Sequence, residues 1–142
     1  MLKLREANSI IENALARATE LQTPPLAVVV LDAGGHVVAA QRQDGASMFR
    51  LDIAHGKAWG AVAMGVSSRA LARRAEARPR FFTALSSTAH GRLLPHPGAA
   101  LIRDAEGAIL GAAGASGATG DQDEACCVHG IERVGLIADA SE

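Results

Sequence analysis

The sequence predicts an α+β fold in which helices pack against an antiparallel sheet. Apolar residues recur at helical spacing over 4–21, which is typical of an amphipathic helix. The unbroken, valine-rich run over 26–31 is typical of a strand buried on both faces. Two Asp-Ala-x-Gly segments, at 32–35 and 104–107, lie between apolar stretches and predict β-hairpins. Hairpins flanked by helices favour an antiparallel sheet with helices packed on it.

The remaining segments divide into helices, strands and loops by the same rules. In chain order they are predicted as a strand at 36–42, a helix at 51–65, a short helix to Ala77, a helix from Pro79, a loop at 86–98, strands at 99–103 and 108–113, and a last helix from Asp121 to about Ala138. Asp121 is predicted as the N-cap of that last helix, with Glu124 completing a capping box.

Composition and charge limit the classes of protein to consider. The chain has 142 residues, which suits a single domain. Apolar residues make up 49% of it and aromatic residues only 3%, so the core is expected to consist of Ala, Val, Leu and Ile. The formal net charge of −1 argues against a general nucleic-acid-binding protein.

Cysteine usage and the lack of long apolar runs predict the compartment. Cys126 and Cys127 are adjacent, and neighbouring side chains of a helix point in different directions, which disfavours a disulfide. Two thiols without a disulfide framework favour a reducing compartment. No leader-like segment opens the sequence, and no apolar run approaches the about 18 residues of a transmembrane helix. We therefore expect a cytoplasmic protein with neither a membrane nor a nucleic-acid partner.

A glycine-rich segment over 107–124 predicts a strand, a turn and then a helix, with glycines at every third position. Such a turn can present backbone N–H groups at the positive end of a helix, where a ligand would contact Gly114, Ser116, Gly117 and Asp121. Alternatively, the glycines only let the helix pack tightly on the strand, and spacing alone does not decide. The segment lacks the G-x-G-x-x-G and Walker patterns, and its three carboxylates disfavour phosphate binding.

Several ordered motifs resemble one known family over nearly the whole chain. After an N-terminal amphipathic helix, the motifs are Val28–Gly35, Val37–Ala39, Arg42–Ala46, Asp52–Ala54, Lys57–Ala58, Gly111–Gly117 and Asp121–Glu124. Together they resemble the GlcG/HbpS family, also called the haem-degrading or DUF336 family. The resemblance implies a profilin-like fold with a five-stranded antiparallel sheet flanked by helices. It also implies haem as a cofactor, a small-molecule ligand as a partner, and homo-oligomers from dimers to octamers.

Lys57 is the residue best suited to catalysis on sequence grounds. It lies in a predicted helix among Ala54, Ala58 and Trp59, and burial of a lysine lowers its pKa and makes it a usable base or nucleophile. His55 is the nearby histidine that could assist it. The alternative is a structural Lys57 paired with a carboxylate at Asp44 or Asp52.

Other polar residues are candidates for ligand binding. Arg42 offers a bidentate fork for a carboxylate, and Asp44 is a second candidate ligand contact beside it; the structural alternative is that Arg42 pairs with Asp44. His129 and His55 are the preferred haem ligands because helices hold their side chains rigidly. Cys126 and His129 are also spaced for a soft metal, but a buried thiol beside a polar histidine is the favoured interpretation, and no metal is predicted.

Three classes of function remain open from the sequence. The first is a binder of haem or a related planar, carboxylate-bearing ligand. The second is an enzyme that acts on a small carboxylated or carbonyl metabolite through Lys57, a histidine and Arg42. The third is an oligomeric scaffold without chemistry. The basic run at Arg69–Arg80 is interpreted as a solvated face or a contact to an acidic patch of a partner subunit.

Overall fold

The computed structural model describes all 142 residues, which form five helices and five strands. In chain order they are α1 (Leu4–Glu20), β1 (Ala27–Asp32), β2 (Val37–Arg42), α2 (Phe49–Met64), α3 (Ser68–Ala77), α4 (Pro79–Thr88), β3 (Ala99–Arg103), β4 (Ile109–Ser116), α5 (Gly120–Arg133) and β5 (Ile137–Asp139). None of the helices is both long and apolar enough to span a bilayer.

All five strands form one sheet in the order β2-β1-β4-β3-β5, and every neighbouring pair is antiparallel. This confirms the predicted α+β architecture with a five-stranded antiparallel sheet. The inner strand β1 pairs with β2 on one side and with the central strand β4 on the other, so that Val29 lies between Ala40 and Gly114. The two edges of the sheet are β2 and the short strand β5.

Helices cover both faces of the sheet. Because side chains of a strand alternate between faces, Val28 and Val30 contact one helical layer and Val29 and Leu31 the other. Helices α1 and α5 supply the first layer, whose core includes the two buried cysteines. Helix α2 supplies the second layer through Ala54, Ala58 and Ala61. The core therefore consists mainly of Ala, Val, Leu and Ile, as the composition predicts.

Both Asp-Ala-x-Gly segments form the predicted hairpin turn. Asp32 Oδ1 accepts hydrogen bonds from the backbone N–H groups of Gly34 and His36, each at 2.9 Å. Asp104 makes the same contacts with the N–H groups two and four residues later, at 3.0 and 2.9 Å. The glycine that ends each turn has a positive φ, 81° in the first and 87° in the second. That backbone conformation is accessible to glycine at no steric cost.

The end of the chain differs from the prediction. The N-cap of α5 is Thr119, whose side chain accepts the backbone N–H of Gln122 in a capping box, and not Asp121. Thr-x-x-Gln satisfies the same capping rule as the Asp121 pattern and begins two residues earlier. The helix ends at Arg133, and the following segment forms β5, which pairs with β3. With three residues at a sheet edge, β5 is too short to show an alternating pattern in the sequence.

Candidate functional site

Lys57 forms a buried ion pair with Asp123. The Lys57 Nζ donates to Asp123 Oδ2 and to the Ala115 carbonyl oxygen, both at 3.0 Å. Lys57 is 3% exposed and Asp123 is 1% exposed, and Asp123 Oδ1 accepts the backbone N–H of Ala118 at 3.1 Å. The prediction that a structural Lys57 pairs with Asp44 or Asp52 is therefore wrong. Asp123 lies 66 residues away along the chain, so local spacing does not reveal the contact.

The Lys57–Asp123 pair links the two helical layers. Lys57 belongs to α2 and Asp123 to α5, which pack on opposite faces of the sheet. The lysine side chain passes Gly98, where an added Cβ would lie 2.8 Å from its Cδ. In this arrangement the Nζ is buried and held by two protein oxygens.

The glycine-rich turn is filled by neighbouring main chain. A Cβ at Gly114 would collide with the Ala54 carbonyl oxygen and lie 3.0 Å from the Ala58 Cβ. A Cβ at Gly117 would collide with the Pro25 carbonyl oxygen. Ser116 is 1% exposed. These contacts fit the packing interpretation of the glycines and leave no room for a ligand between them and their neighbours.

The carboxylates at the start of α5 are paired with cations. Arg69 contacts Asp121 through Nη2 and Glu124 through Nε, the latter at 3.0 Å, while Asp123 pairs with Lys57. The hydrogen bonds that Arg69 donates to Asp121 and, to a smaller extent, to Glu124 raise the pKa of Arg69. Arg73, the next residue of the basic run on this helical face, pairs with Glu142 at 2.8 Å. Two members of the basic run therefore contact acidic residues of the same chain.

Arg42 and Asp44 come together at one cavity, as the sequence analysis proposes for ligand contacts. The cavity has a volume of about 510 Å³ and lies where β2 ends. Its other lining residues are mostly polar, namely Leu15, Thr23, Pro25, Gln41 and Gln43. Arg42 also donates to the Ala46 carbonyl oxygen, which holds its guanidinium near the end of the strand. The volume falls within the range of about 300–1,000 Å³ typical of small-molecule sites.

The two candidate haem ligands lie on different layers. His55 belongs to α2 and His129 to α5, and both side chains are partly buried. The sheet separates these helices, so the two imidazoles of one chain do not converge on one ligand. Lys57 is likewise directed away from His55, because residues two apart on a helix face different directions.

His55 has an unusual neighbourhood that the sequence analysis missed. Burial lowers the pKa of its imidazole, Asp52 opposes this effect, and the positive charge of Arg92 adds to it. The Arg92 guanidinium lies 4.4 Å above the ring of Trp59, one helical turn beyond His55. The four-residue spacing of His55 and Trp59 was visible in the sequence, but the approach of Arg92 depends on the loop that follows α4.

The two thiols are poorly suited to metal binding or nucleophilic attack. Burial, with the negative charge of Asp123, raises the pKa of Cys126 to about 11. Burial also raises the pKa of Cys127 well above its usual value, and its Sγ lies 3.7 Å from the Gly98 carbonyl oxygen. Metal ligation requires the thiolate form, which is scarce at neutral pH for such groups. No group of three or more His, Cys, Asp or Glu side chains is placed to hold a metal ion.

Comparison with known proteins identifies the family of the chain. The family model described as haem degrading protein HbpS-like matches residues 2–132. The chain belongs to this HbpS-like family. Its sequence is also 32% identical over 123 residues to the corrinoid adenosyltransferase PduO of Citrobacter freundii. That match covers 86% of this chain but 36% of PduO, so the HbpS-like chain spans about a third of the length of this relative.

Solved structures show the same fold in other HbpS-like proteins. A structure of a PduOC:heme complex aligns over 95% of this chain and 96% of its own, with a TM-score of 0.84 and 25% identity. A double mutant of HbpS from Streptomyces reticuli aligns over 94% of this chain and 87% of its own, with a TM-score of 0.80 and 27% identity. The resemblance drawn from the sequence motifs is therefore confirmed at the level of family and fold.

Proposed function

We propose that this HbpS-like protein binds haem, or a closely related planar ligand that carries carboxylates, in a homo-oligomer. The observation that carries the proposal is the family match over residues 2–132. It is supported by the alignment of nearly the whole chain with a relative whose structure holds haem. As the corresponding part of PduO is a minor share of that enzyme, adenosyl transfer is not part of the proposal.

The residues of this chain are compatible with such a ligand. Haem iron accepts imidazole nitrogen as an axial ligand, and the chain has partly buried histidines on both helical layers. Haem also carries two carboxylates, for which guanidinium groups are the best matched side chains. Arg42 and Arg92 are arginines whose guanidinium groups are positioned by contacts with neighbouring backbone oxygens.

The geometry gives less support to an enzyme built on Lys57. A general base or nucleophile has to reach its substrate, whereas the Lys57 Nζ is buried and bound to two protein oxygens. A scaffold without chemistry predicts that no small molecule binds. A direct titration with haemin distinguishes haem binding from both alternatives.

The test is titration of the purified protein with haemin, followed by the Soret absorption band. We expect a shifted band that saturates at one haem per chain, with the oligomeric state measured by light scattering on the same samples. Heat-unfolded protein is the matched control, because it keeps every histidine and removes only the folded site. An unshifted band, or equal shifts for folded and unfolded chain, would overturn the proposal.

A further inference from the structure

The geometry points to a location for this ligand: the corner between α2 and β2, with His55 as the axial ligand of the iron and Arg92 as the partner of a carboxylate. We define the α2–β2 corner by Val37, Ala40, Met48, His55 and Trp59. The inference rests on the proposed function. It adds a binding site that is distinct from the glycine-rich turn and from the cavity at Arg42 and Asp44.

The floor of the corner is the uncovered face of β2. Leu31 and Val29 of β1 point towards α2 and are buried, and they pair with Val37 and Ala40 of β2. Paired residues of antiparallel strands share a face, so Val37 and Ala40 also point to the α2 side. Yet Val37 is 56% exposed, and Ala40 is exposed too. Helix α2 therefore leaves an apolar part of its own side of the sheet uncovered at β2.

The wall of the corner is one stripe of α2. Met48, Asp52, His55 and Trp59 are spaced by four, three and four residues, which places them on one side of the helix. A Cβ at Gly35, in the turn between β1 and β2, would lie 3.1 Å from the Trp59 Nε1. This contact places the Trp59 end of the stripe beside the β1–β2 hairpin. Met48, at the other end of the stripe, is 82% exposed.

The chemistry of the corner matches an iron porphyrin better than a purely apolar partner. Val37, Ala40 and Met48 supply apolar contacts for the macrocycle, and an imidazole is an axial ligand through a neutral nitrogen. Burial lowers the pKa of His55 and Arg92 adds to this effect against Asp52, which favours the neutral form of imidazole that binds iron.

The charged groups at the corner suit a ligand with anionic edges. Arg92 stacks on Trp59 and uses its Nε to donate to the Ala89 carbonyl oxygen at 2.8 Å, which leaves the other guanidinium N–H groups to bind a carboxylate. Arg42 follows Ala40 on the same face of β2, by strand alternation. Asp52, which is exposed, is the acidic residue of the stripe, and its negative charge opposes binding of a ligand carboxylate next to it.

The experiment compares haemin binding by the unmodified protein, His55→Ala and His96→Ala. We expect His55→Ala to weaken binding by about tenfold or more and to lose the shifted Soret band of histidine-ligated haem, and added imidazole to restore that band. His96→Ala removes an exposed imidazole from the loop before β3, beside the start of α5, and is expected to bind as the unmodified protein does. If the unmodified protein binds no haem, the proposed function itself fails. If it binds and His55→Ala binds equally well, only the location at His55 is overturned.

A second variant tests the corner without altering the imidazole. Ala40→Trp fills the floor at an exposed strand position, where the fold tolerates a larger side chain, and is expected to reduce haemin binding by about tenfold. Far-UV circular dichroism and light scattering check that the fold and the oligomeric state are kept. Full binding by Ala40→Trp would overturn the location. A change of oligomeric state in that variant, without haem present, would instead assign the corner to a second copy of the chain and would also overturn it.

Discussion

At the scale of single residues, the most consequential contact is the one between Lys57 and Asp123. Taking both charges out of water is costly, and hydrogen bonds to the Ala115 carbonyl and the Ala118 N–H offset part of that cost. Loss of one partner leaves the other charge buried and unpaired. The pair thus makes the junction of α2, β4 and α5 sensitive to substitution, irrespective of any ligand.

We expect Lys57→Met to reduce the free energy of unfolding by about 3–5 kcal/mol, because it leaves the Asp123 carboxylate buried and unpaired. Urea denaturation followed by circular dichroism provides the measurement. The double variant Lys57→Met, Asp123→Leu removes both charges and is expected to recover much of the loss. A loss below about 1 kcal/mol for the single variant would indicate a solvent-accessible lysine, as the catalytic interpretation of Lys57 requires.

We expect the two thiols to resist alkylation in the folded protein. Their raised pKa values keep them protonated near neutral pH, and both side chains are buried. Treatment with iodoacetamide followed by mass spectrometry is expected to leave Cys126 and Cys127 unmodified until denaturant is added, when both react. Rapid modification of native protein would show that α5 opens or that the thiols are accessible.

At the scale of elements, the hairpin turns illustrate how a short motif determines local structure. One carboxylate oxygen of Asp32 accepts two backbone N–H groups and closes the turn, and Asp104 repeats the arrangement between β3 and β4. The motif is recognisable in the sequence because both partners of every contact lie within five consecutive residues. Element β5 has no such local signal, since it is held by pairing with β3 and by the Asp139–Arg103 ion pair, whose partners are 36 residues apart in the chain.

The turn at Asp32 predicts a specific dependence of stability on pH. The His36 N–H lowers the pKa of Asp32 below its usual value of 3.8, burial opposes this, and the Gly34 N–H adds to it. The folded protein thus binds this proton more weakly than the unfolded chain does. The stabilisation is complete above about pH 4 and is lost as the pH falls through the pKa of the folded state.

We therefore expect Asp32→Ala to be less stable to unfolding than the unmodified protein near neutral pH. This difference in stability is expected to become smaller at acidic pH. Thermal unfolding at several pH values measures it. Asp44→Ala, which removes an exposed carboxylate from the loop after β2, is the control and is expected to show little difference at any pH. A pH-independent difference for Asp32→Ala would assign the effect to the side chain's packing rather than to its charge.

At the scale of the whole molecule, stability is expected to be greater in the inner strands of the sheet than at its edges. Strand β1 is paired on both sides and covered on both faces, whereas β2 and β5 are edge strands. Backbone amides exchange with solvent most slowly where opening requires global unfolding. Hydrogen exchange measured by mass spectrometry is expected to show the strongest protection over 28–31 and the weakest strand protection over 137–139. The reverse order would contradict the sheet order described here.

The sequence by itself determined the helices and most strands, the buried strand β1, the two hairpin turns and the family. Each depends on residues close together in the chain or on a pattern that extends along it. It could not determine that Lys57 meets Asp123, that Arg69 meets Glu124, or that Arg92 lies over Trp59 beside His55. These contacts join segments far apart in the chain, 66 residues for the first and 55 for the second. The packing of α2 and α5 on opposite faces of the sheet brings Lys57 and Asp123 together, and it keeps His55 and His129 apart.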